Sequence, residues 1–413
     1  MQDNKDVNVL PKNYWKTIVF TFCLGWVVIW IYRAMLSPIY SEIQGTIGTQ
    51  TNAAMGLIAS CYFFGYTSMQ IPSGFLVDRF GQKKVLIPGF ILFALGAFSI
   101  SQATNLMMIY VGSVFAGVGC GTYYGAAFSL TAQHVPAEKK GLSTAIVNSG
   151  SALGMIIGMT GSSYVVKTLQ LPWQTMVIIS ASLIVLLIIW FAVAIKNTSV
   201  VRKAKVDEVE LVNEDIKKGS LFSLRMISCY LLYFTTCYTY YLIVTWLPKF
   251  LESERGISGG MIGLIVSMIS VTAVPGALYF AHMSDKKRDK KSIIISGLEI
   301  AAFVLIALSM KAPNATFLAI ILLLYGFLGK MAVDPVLISF ISDNASKKDL
   351  ATKLGMFNFF GMSSSIIAPA FTGYIIDKTG SGELGFYIGA GLLLIGTTVF
   401  IFVNAKKHKE QVA

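Results

Sequence analysis

The chain has 413 residues, of which 55% are hydrophobic and 13% are charged, and its formal net charge is +12. A mean hydropathy of +0.67 excludes a water-soluble globule with an ordinary polar surface. The composition therefore indicates an integral membrane protein in direct contact with the lipid bilayer.

Apolar segments recur along the whole chain, each of about 20 residues, the length that crosses a hydrocarbon core of roughly 30 Å as a helix. The first segment is too long for the core of a signal peptide, so we predict that it is retained. The sequence predicts twelve spans: residues 17–40, 54–76, 84–101, 106–132, 142–166, 174–195, 221–247, 259–282, 292–310, 315–341, 353–376 and 385–404.

Basic residues are distributed unequally between the predicted loops. Of the 33 Lys and Arg residues, 26 fall in the termini and the loops on the same side, and 5 fall in the opposite loops. Cytoplasmic loops are enriched in these residues, so we predict that both termini are cytoplasmic, in an inner or plasma membrane. Loops facing an anionic leaflet explain the positive charge without nucleic acid as a partner.

Cofactor and metal chemistry have no signature in the sequence. The five cysteines all lie in apolar spans, and the three histidines lack metal-ligand spacing. No phosphate-binding G-x-x-x-x-G-K-[ST] loop occurs. We therefore predict neither an enzyme, nor a metal or cofactor, nor an ATP-driven pump.

The chain divides into two similar halves, residues 1–195 and 221–413, joined by a charged linker at 196–220 that we predict to be cytoplasmic. GFLVDRFGQKK (74–84) after the second span is echoed by AHMSDKKRDKK (281–291) after the eighth. Asp78 and Asp285 occupy equivalent positions 207 residues apart. Parallel repeats of this kind predict a transporter with its substrate site between the halves.

GFLVDRFGQKK resembles the loop signature of the major facilitator superfamily, G-x-L-a-D-R-x-G-R-[RK]-x-[RK], and departs from it at Gln82. The resemblance implies an all-α membrane protein with twelve transmembrane helices in two pseudo-symmetric six-helix halves, and we expect a monomer. The resemblance also implies that this loop forms a latch between the halves. In this latch, Asp78 would accept hydrogen bonds from a helix N-terminus of the other half. Alternatively, the charged residues of the loop only set topology. The predicted gating residues are Gly74, Asp78, Arg79, Gly81 and Asp285.

Three further stretches narrow the resemblance: YRAMLSPIY (32–40), TWLPKFL (245–251) and GMFNFFGMSSSIIAPAFTGYIIDKTGS (355–381). They are similar to the anion:cation symporters, whose arginine at the position of Arg33 binds a substrate carboxylate. The acidic residue that often precedes this arginine is Tyr32 here, and GTYYGAAF (121–128) lacks the acidic residue common in span four. The acidic residues of those relatives are therefore absent from both of these positions.

Arg33 also stands out on physical grounds. Trp26, Trp30, Arg33, Ser37 and Tyr40 share one stripe at helical spacing, which is typical of a wet cavity. A guanidinium there binds a carboxylate through two parallel hydrogen bonds. The alternative is an arginine that extends outward to the membrane interface.

Lys330 and Asp334 lie four residues apart in span ten, so their side chains share a face. Lys330 is either a second anion ligand or the structural partner of Asp334, and Asp334 is the predicted proton-coupling site.

The family fold places spans one, four, seven and ten around the cavity and turns span nine, with Glu299, toward lipid. Adding the repeat offset of 207 to Arg33 places Tyr240 opposite it. The remaining predicted lining residues are Trp30, Tyr66, Tyr241 and Asn358.

These observations predict a secondary transporter that moves a small organic anion, such as a sugar acid, by alternating access. Proton symport and anion exchange both remain open. One alternative is an efflux transporter of hydrophobic or cationic compounds, which favours an acidic cavity. Another is a membrane sensor that binds a ligand without moving it.

Overall fold

The computed structural model describes residues 13–136, 139–196, 221–345 and 350–412, and these residues are almost entirely helical. The predicted linker, residues 196–220, lies outside the described residues except for Lys196. The helices of the first half are α1 (Tyr14–Met35), α2 (Tyr40–Ile47), α3 (Asn52–Phe80), α4 (Gln82–Ser101), α5 (Leu106–His134), α6 (Lys140–Ser162) and α7 (Trp173–Ala194). Those of the second half are α8 (Leu224–Ser253), α9 (Met261–Lys286), α10 (Lys291–Ser309), α11 (Ala315–Leu328), α12 (Lys330–Asp343), α13 (Leu350–Thr379) and α14 (Gly382–Val412).

Within the described ranges, 11 helical segments are long and apolar enough to cross a membrane. The predicted second span is present as α3, whose 29 residues also suffice in length. Polar residues such as Gln70 and Asp78 give α3 a weaker apolar signal than its neighbours. With α3 included, the bundle has the twelve crossings predicted from the sequence.

Two predicted spans are broken helices. In the first, α1 ends at Met35 and a 3-10 turn at Ser37–Ile39 leads into α2. Pro38 lies in this turn and has no backbone N–H to continue a helical ladder. The tenth span is interrupted at Gly329, whose extended ψ of −148° separates α11 from α12.

Consecutive crossings place both described chain ends on one side of the bundle, the terminal face, which also carries Phe80 and Lys286. The other side, the opposite face, carries the turns at Gly48 and Gly256. Each half is tightly packed internally. Gly150, Gly154 and Gly158 of α6, for example, lie against the backbone of α1 so closely that a Cβ at any of them would overlap it.

Candidate substrate-binding site

Arg33 lies in a cage of aromatic rings. Its guanidinium carbon is 4.2 Å from the centre of the Tyr66 ring and 5.4 Å from that of Tyr62. The Trp30 ring is 5.3 Å away, and Nε donates a hydrogen bond of 3.0 Å to the Tyr62 hydroxyl. Ring faces carry partial negative charge, so the cage stabilises a cation without an anion.

The guanidinium retains a free donor group. Nη2 of Arg33 is buried and has no hydrogen-bond partner among the described residues. No carboxylate of these residues forms an ion pair with Arg33. A buried donor without a partner is costly, and a ligand carboxylate that accepted from it would remove this cost.

Lys330 is held differently. It begins α12, directly after the break at Gly329, and its Nζ donates a hydrogen bond of 2.6 Å to Oδ2 of Asp334. Both side chains are largely buried, with 11% and 21% of their surfaces exposed. Oδ1 of Asp334 is buried without a partner among the described residues. The pair is neutral overall, yet one carboxylate oxygen still lacks a donor.

The two cations line adjacent pockets that share Trp30 and Tyr241 as a common wall. The pocket of Arg33 encloses about 540 Å³ and that of Lys330 about 400 Å³, counting the space at their open mouths. The arrangement presents positive charge from each half toward one central region.

The structure brings most of the predicted lining residues to this region. Tyr66 contacts the guanidinium of Arg33, and Tyr241 lies in the same pocket with its ring 4.7 Å from that of Phe63. The ring of Tyr240, predicted to lie opposite Arg33, is 5.6 Å from Nζ of Lys330 in the second pocket and 6.4 Å from the ring of Trp30.

Asn358 lies farther toward the terminal face, where its Nδ2 donates a hydrogen bond of 3.1 Å to Oε1 of Gln70. This bond joins α13 to α3 across the two halves. A Cβ at Gly74, one turn beyond Gln70, would meet no atom within 4 Å.

None of the predicted latch contacts is made among the described residues. Asp78, Arg79 and Asp285 are exposed, and neither aspartate forms an ion pair or hydrogen bond within the described ranges. A Cβ at Gly125 of α5 would lie 3.7 Å from the backbone of Gly74, so α5 approaches α3 closely there. Gly81 does adopt a positive φ of 87°, which ends α3 and suits glycine.

The opposite face is instead closed by a set of polar contacts that we call the seal: Ser41, Glu42, Asn52, Ala53, Lys167, Lys249, Glu252 and Asp377. Lys167 is buried and pairs with Glu42 of its own half at 2.7 Å and with Glu252 of the other half. Ser41 donates a hydrogen bond of 2.7 Å to the same Glu252 carboxylate. These contacts bind the two halves together where the substrate pockets would otherwise open.

Asp377 contributes a second part of the seal. Its carboxylate accepts hydrogen bonds of 2.8 Å from the backbone N–H groups of Asn52 and Ala53, at the N-terminus of α3. Lys249 adds a bond of 2.6 Å to the side-chain oxygen of Asn52. A carboxylate at a helix N-terminus of the other half was predicted for Asp78, and Asp377 makes this contact at the other side of the membrane.

One buried acid was misplaced by the sequence analysis. Glu299 of α10 was expected to face lipid, but it is fully buried and hydrogen-bonded to Thr236 of α8. Burial of an ionisable group inside a bundle is the usual outcome in membranes, since exposure to lipid costs more. A charge-bearing residue in an otherwise apolar span was the signal that could have located it.

Comparison with known proteins gives matches along the whole chain. The model of the Major Facilitator Superfamily matches residues 18–258 and 229–413. Similar proteins include a probable sulfoacetate transporter of Cupriavidus necator, SauU, which is 26% identical over 94% of this chain and 93% of its own length. A probable galactarate/D-glucarate transporter of Bacillus subtilis, GudP, is 25% identical over 95% of this chain and 92% of its own.

Solved structures share the fold at low sequence identity. A bacterial homologue of the human lysosomal transporter Spinster has a TM-score of 0.82 at 13% identity and covers 96% of this chain and 98% of its own. The nucleoside transporter NupG has a TM-score of 0.75 at 14% identity, with 93% and 99% covered. These likenesses confirm the predicted all-α architecture. Because the family model covers both halves, this protein is an integral, multi-pass membrane protein that belongs to the Major Facilitator Superfamily, a family of transporters and not of enzymes.

Proposed function

We propose that this protein is a secondary transporter of a small organic acid and that Arg33 binds the carboxylate of this acid. The observation that carries the proposal is a caged guanidinium with an unpartnered buried donor and no protein carboxylate paired with it in the described structure. A bidentate carboxylate would satisfy that donor and add charge-assisted hydrogen bonds. Sulfoacetate and galactarate or D-glucarate transporters among the similar proteins support the same class of substrate.

In this proposal, Lys330 forms a second subsite, which binds another anionic or polar group of the substrate. A diacid, or an acid with a second polar end, would extend past Trp30 and Tyr241 from one pocket into the next. Its second end would compete with Asp334 for Lys330 and release the aspartate to take up a proton. Substrate and proton binding would then be linked reciprocally. The passage between the two pockets would be shaped by Trp30, Tyr66, Tyr240 and Tyr241. Asn358 would help to close it on the side of the terminal face.

We further propose that the terminal face is cytoplasmic, as the distribution of basic loop residues predicts, and that a single chain forms the complete transporter in the inner or plasma membrane. Transport would then require that the seal open while the Gln70–Asn358 region closes. In that second state, Asp78 and Asp285 would make the latch contacts that they lack here.

Efflux of cationic compounds is less well supported by the same region. The two pockets are lined by Arg33 and Lys330, and the nearby Asp334 is already paired with Lys330. A cationic substrate would meet unfavourable potential there. A non-transporting sensor differs from a carrier in one measurable respect, because it would bind an acid without accumulating it.

The test is uptake by purified protein in sealed proteoliposomes, with pH and sodium gradients imposed separately. The panel of labelled compounds contains D-glucarate, galactarate, sulfoacetate and a cationic dye. We expect uptake of at least one acid and none of the dye. Binding without uptake would favour the sensor, and uptake of the dye alone would favour efflux.

A further inference from the structure

Glu299 is a buried acid that the proposed transport mechanism has not used. It lies near the middle of α10, and its side chain is 0% exposed. No lysine, arginine or histidine among the described residues forms an ion pair with it. An ionised carboxylate so placed would carry a large desolvation cost without a compensating cation.

The hydrogen-bond donors and acceptors around the Glu299 carboxyl group favour its neutral, protonated form. Oε1 contacts the hydroxyl of Thr236, and Oε2 has no partner among the described residues. If Glu299 were charged, the Thr236 hydroxyl would be the only donor to a group with about four acceptor sites. Thr236 Oγ1 also lies 2.8 Å from the carbonyl oxygen of Leu232. A protonated Glu299 donates to Thr236, which donates to Leu232, so the acid form uses both contacts.

The titratable neighbours of Glu299 come from every helix packed on that part of α10. Lys330 and Asp334 of α12 and Tyr325 of α11 lie within electrostatic range, and so does Cys237 of α8. On α14, the titratable side chains that the structure describes are Glu383 and Tyr387, and both lie nearer the opposite face. Lys330 is the sole cation in this surrounding set, and Asp334 already compensates it.

We propose that Glu299 is a second proton-binding site of the transporter, protonated in the conformation described here while Asp334 is ionised. This inference rests on the proposed function for its role in coupling. When a substrate anion engages Lys330 while Asp334 is still ionised, less positive potential reaches Glu299, and its proton is held more firmly. Substrate and proton therefore bind cooperatively, and loss of the substrate favours loss of the proton.

The protonation state is tested without any transport. Infrared spectra of the purified full-length protein in lipid nanodiscs at neutral pH should contain a carboxylic-acid carbonyl band that Glu299→Gln removes. Asp334→Asn should leave this band in place. Thr236→Val, which removes the hydrogen-bond partner, should shift the band to higher frequency, and Thr236→Ser should not. A band that survives Glu299→Gln, or that disappears in Asp334→Asn, would overturn the assignment.

The coupling role is tested in proteoliposomes with D-glucarate and sulfoacetate as probes. We expect Glu299→Gln, which mimics the permanently protonated acid, to exchange internal for external acid at the wild-type rate and to lose accumulation driven by a pH gradient. Glu383→Gln, on a half-exposed carboxylate away from the pockets, is the matched control and should retain both. Normal accumulation by Glu299→Gln, or loss of exchange together with accumulation in a correctly inserted protein, would contradict the coupling role. If the wild type transports none of D-glucarate, galactarate and sulfoacetate, the proposed function fails, and the infrared test still decides the protonation of Glu299.

Discussion

Ser37 and Val244 touch each other across the two halves. The hydroxyl of Ser37 donates a hydrogen bond of 2.9 Å to the carbonyl oxygen of Val244, 207 residues away. Both residues also line the pocket of Arg33, so both halves form the wall of this pocket.

Asp377→Asn should weaken the seal. The neutral amide loses the charge-assisted hydrogen bonds to the N-terminus of α3, each worth about 1.5–3 kcal/mol. We expect the population that is open at the opposite face to rise by about tenfold or more. The measurement is the spin-label distance between Thr49 and Ser258, exposed positions in different halves, which should lengthen.

Glu383→Gln is the control for this change, because Glu383 pairs at 3.5 Å with Arg255 of the same half. It should leave the distance distribution unaltered. An unaltered distribution in Asp377→Asn would show that the carboxylate does not hold the halves together.

Gly56→Ala should also disturb closure, for a steric reason. A Cβ at Gly56 would overlap the carbonyl oxygen of Pro369 in the other half. We expect the same lengthening of the Thr49–Ser258 distance together with slower exchange of substrate. Gly45→Ala is the matched variant on the same face, since a Cβ there meets nothing within 4 Å, and it should behave as the wild type.

Arg33→Lys should abolish most uptake while leaving membrane insertion intact. The ammonium keeps the charge and loses the planar fork that binds a carboxylate bidentately. Loss of one such charge-assisted pair corresponds to about 10-fold to 100-fold weaker binding. Uptake kinetics and surface expression are measured together, with Arg288→Lys at an exposed position as the control. Wild-type kinetics in Arg33→Lys would exclude the binding role.

Asp334→Asn should separate exchange from accumulation. The amide cannot take up a proton, so accumulation driven by a pH gradient should fail while exchange of internal for external substrate continues. Both are measured with the same proteoliposome preparation. Loss of both activities would identify a structural pair with Lys330, and intact accumulation would exclude Asp334 as a proton site.

Fold and helix order were accessible from the sequence because apolar segments of membrane length and the asymmetry of basic loops are strong local signals. The break at Gly329 was not predicted from the sequence. The offset of 207 locates Tyr240 along α8, but it does not predict that the ring lines the pocket of Lys330, 6.4 Å from the ring of Trp30.

The seal was not predicted either. Lys167, Glu252 and Asp377 come from loops and helix ends far apart in sequence, and no local pattern joins them. Glu299 was misplaced for a related reason. The general fold of a family indicates which helix is peripheral. Which face of that helix turns inward depends on its own polar residue, here Glu299.

The different surroundings of the two pocket cations imply an order of events during loading. Arg33 is stabilised by ring faces, which an arriving carboxylate does not have to displace. Lys330 must first release Asp334. An acid should therefore be captured at Arg33 in a fast step and settle onto Lys330 in a slower one, and monoacids should stop after the first. Stopped-flow binding with mono- and dicarboxylates would then show one kinetic phase for the former and two for the latter.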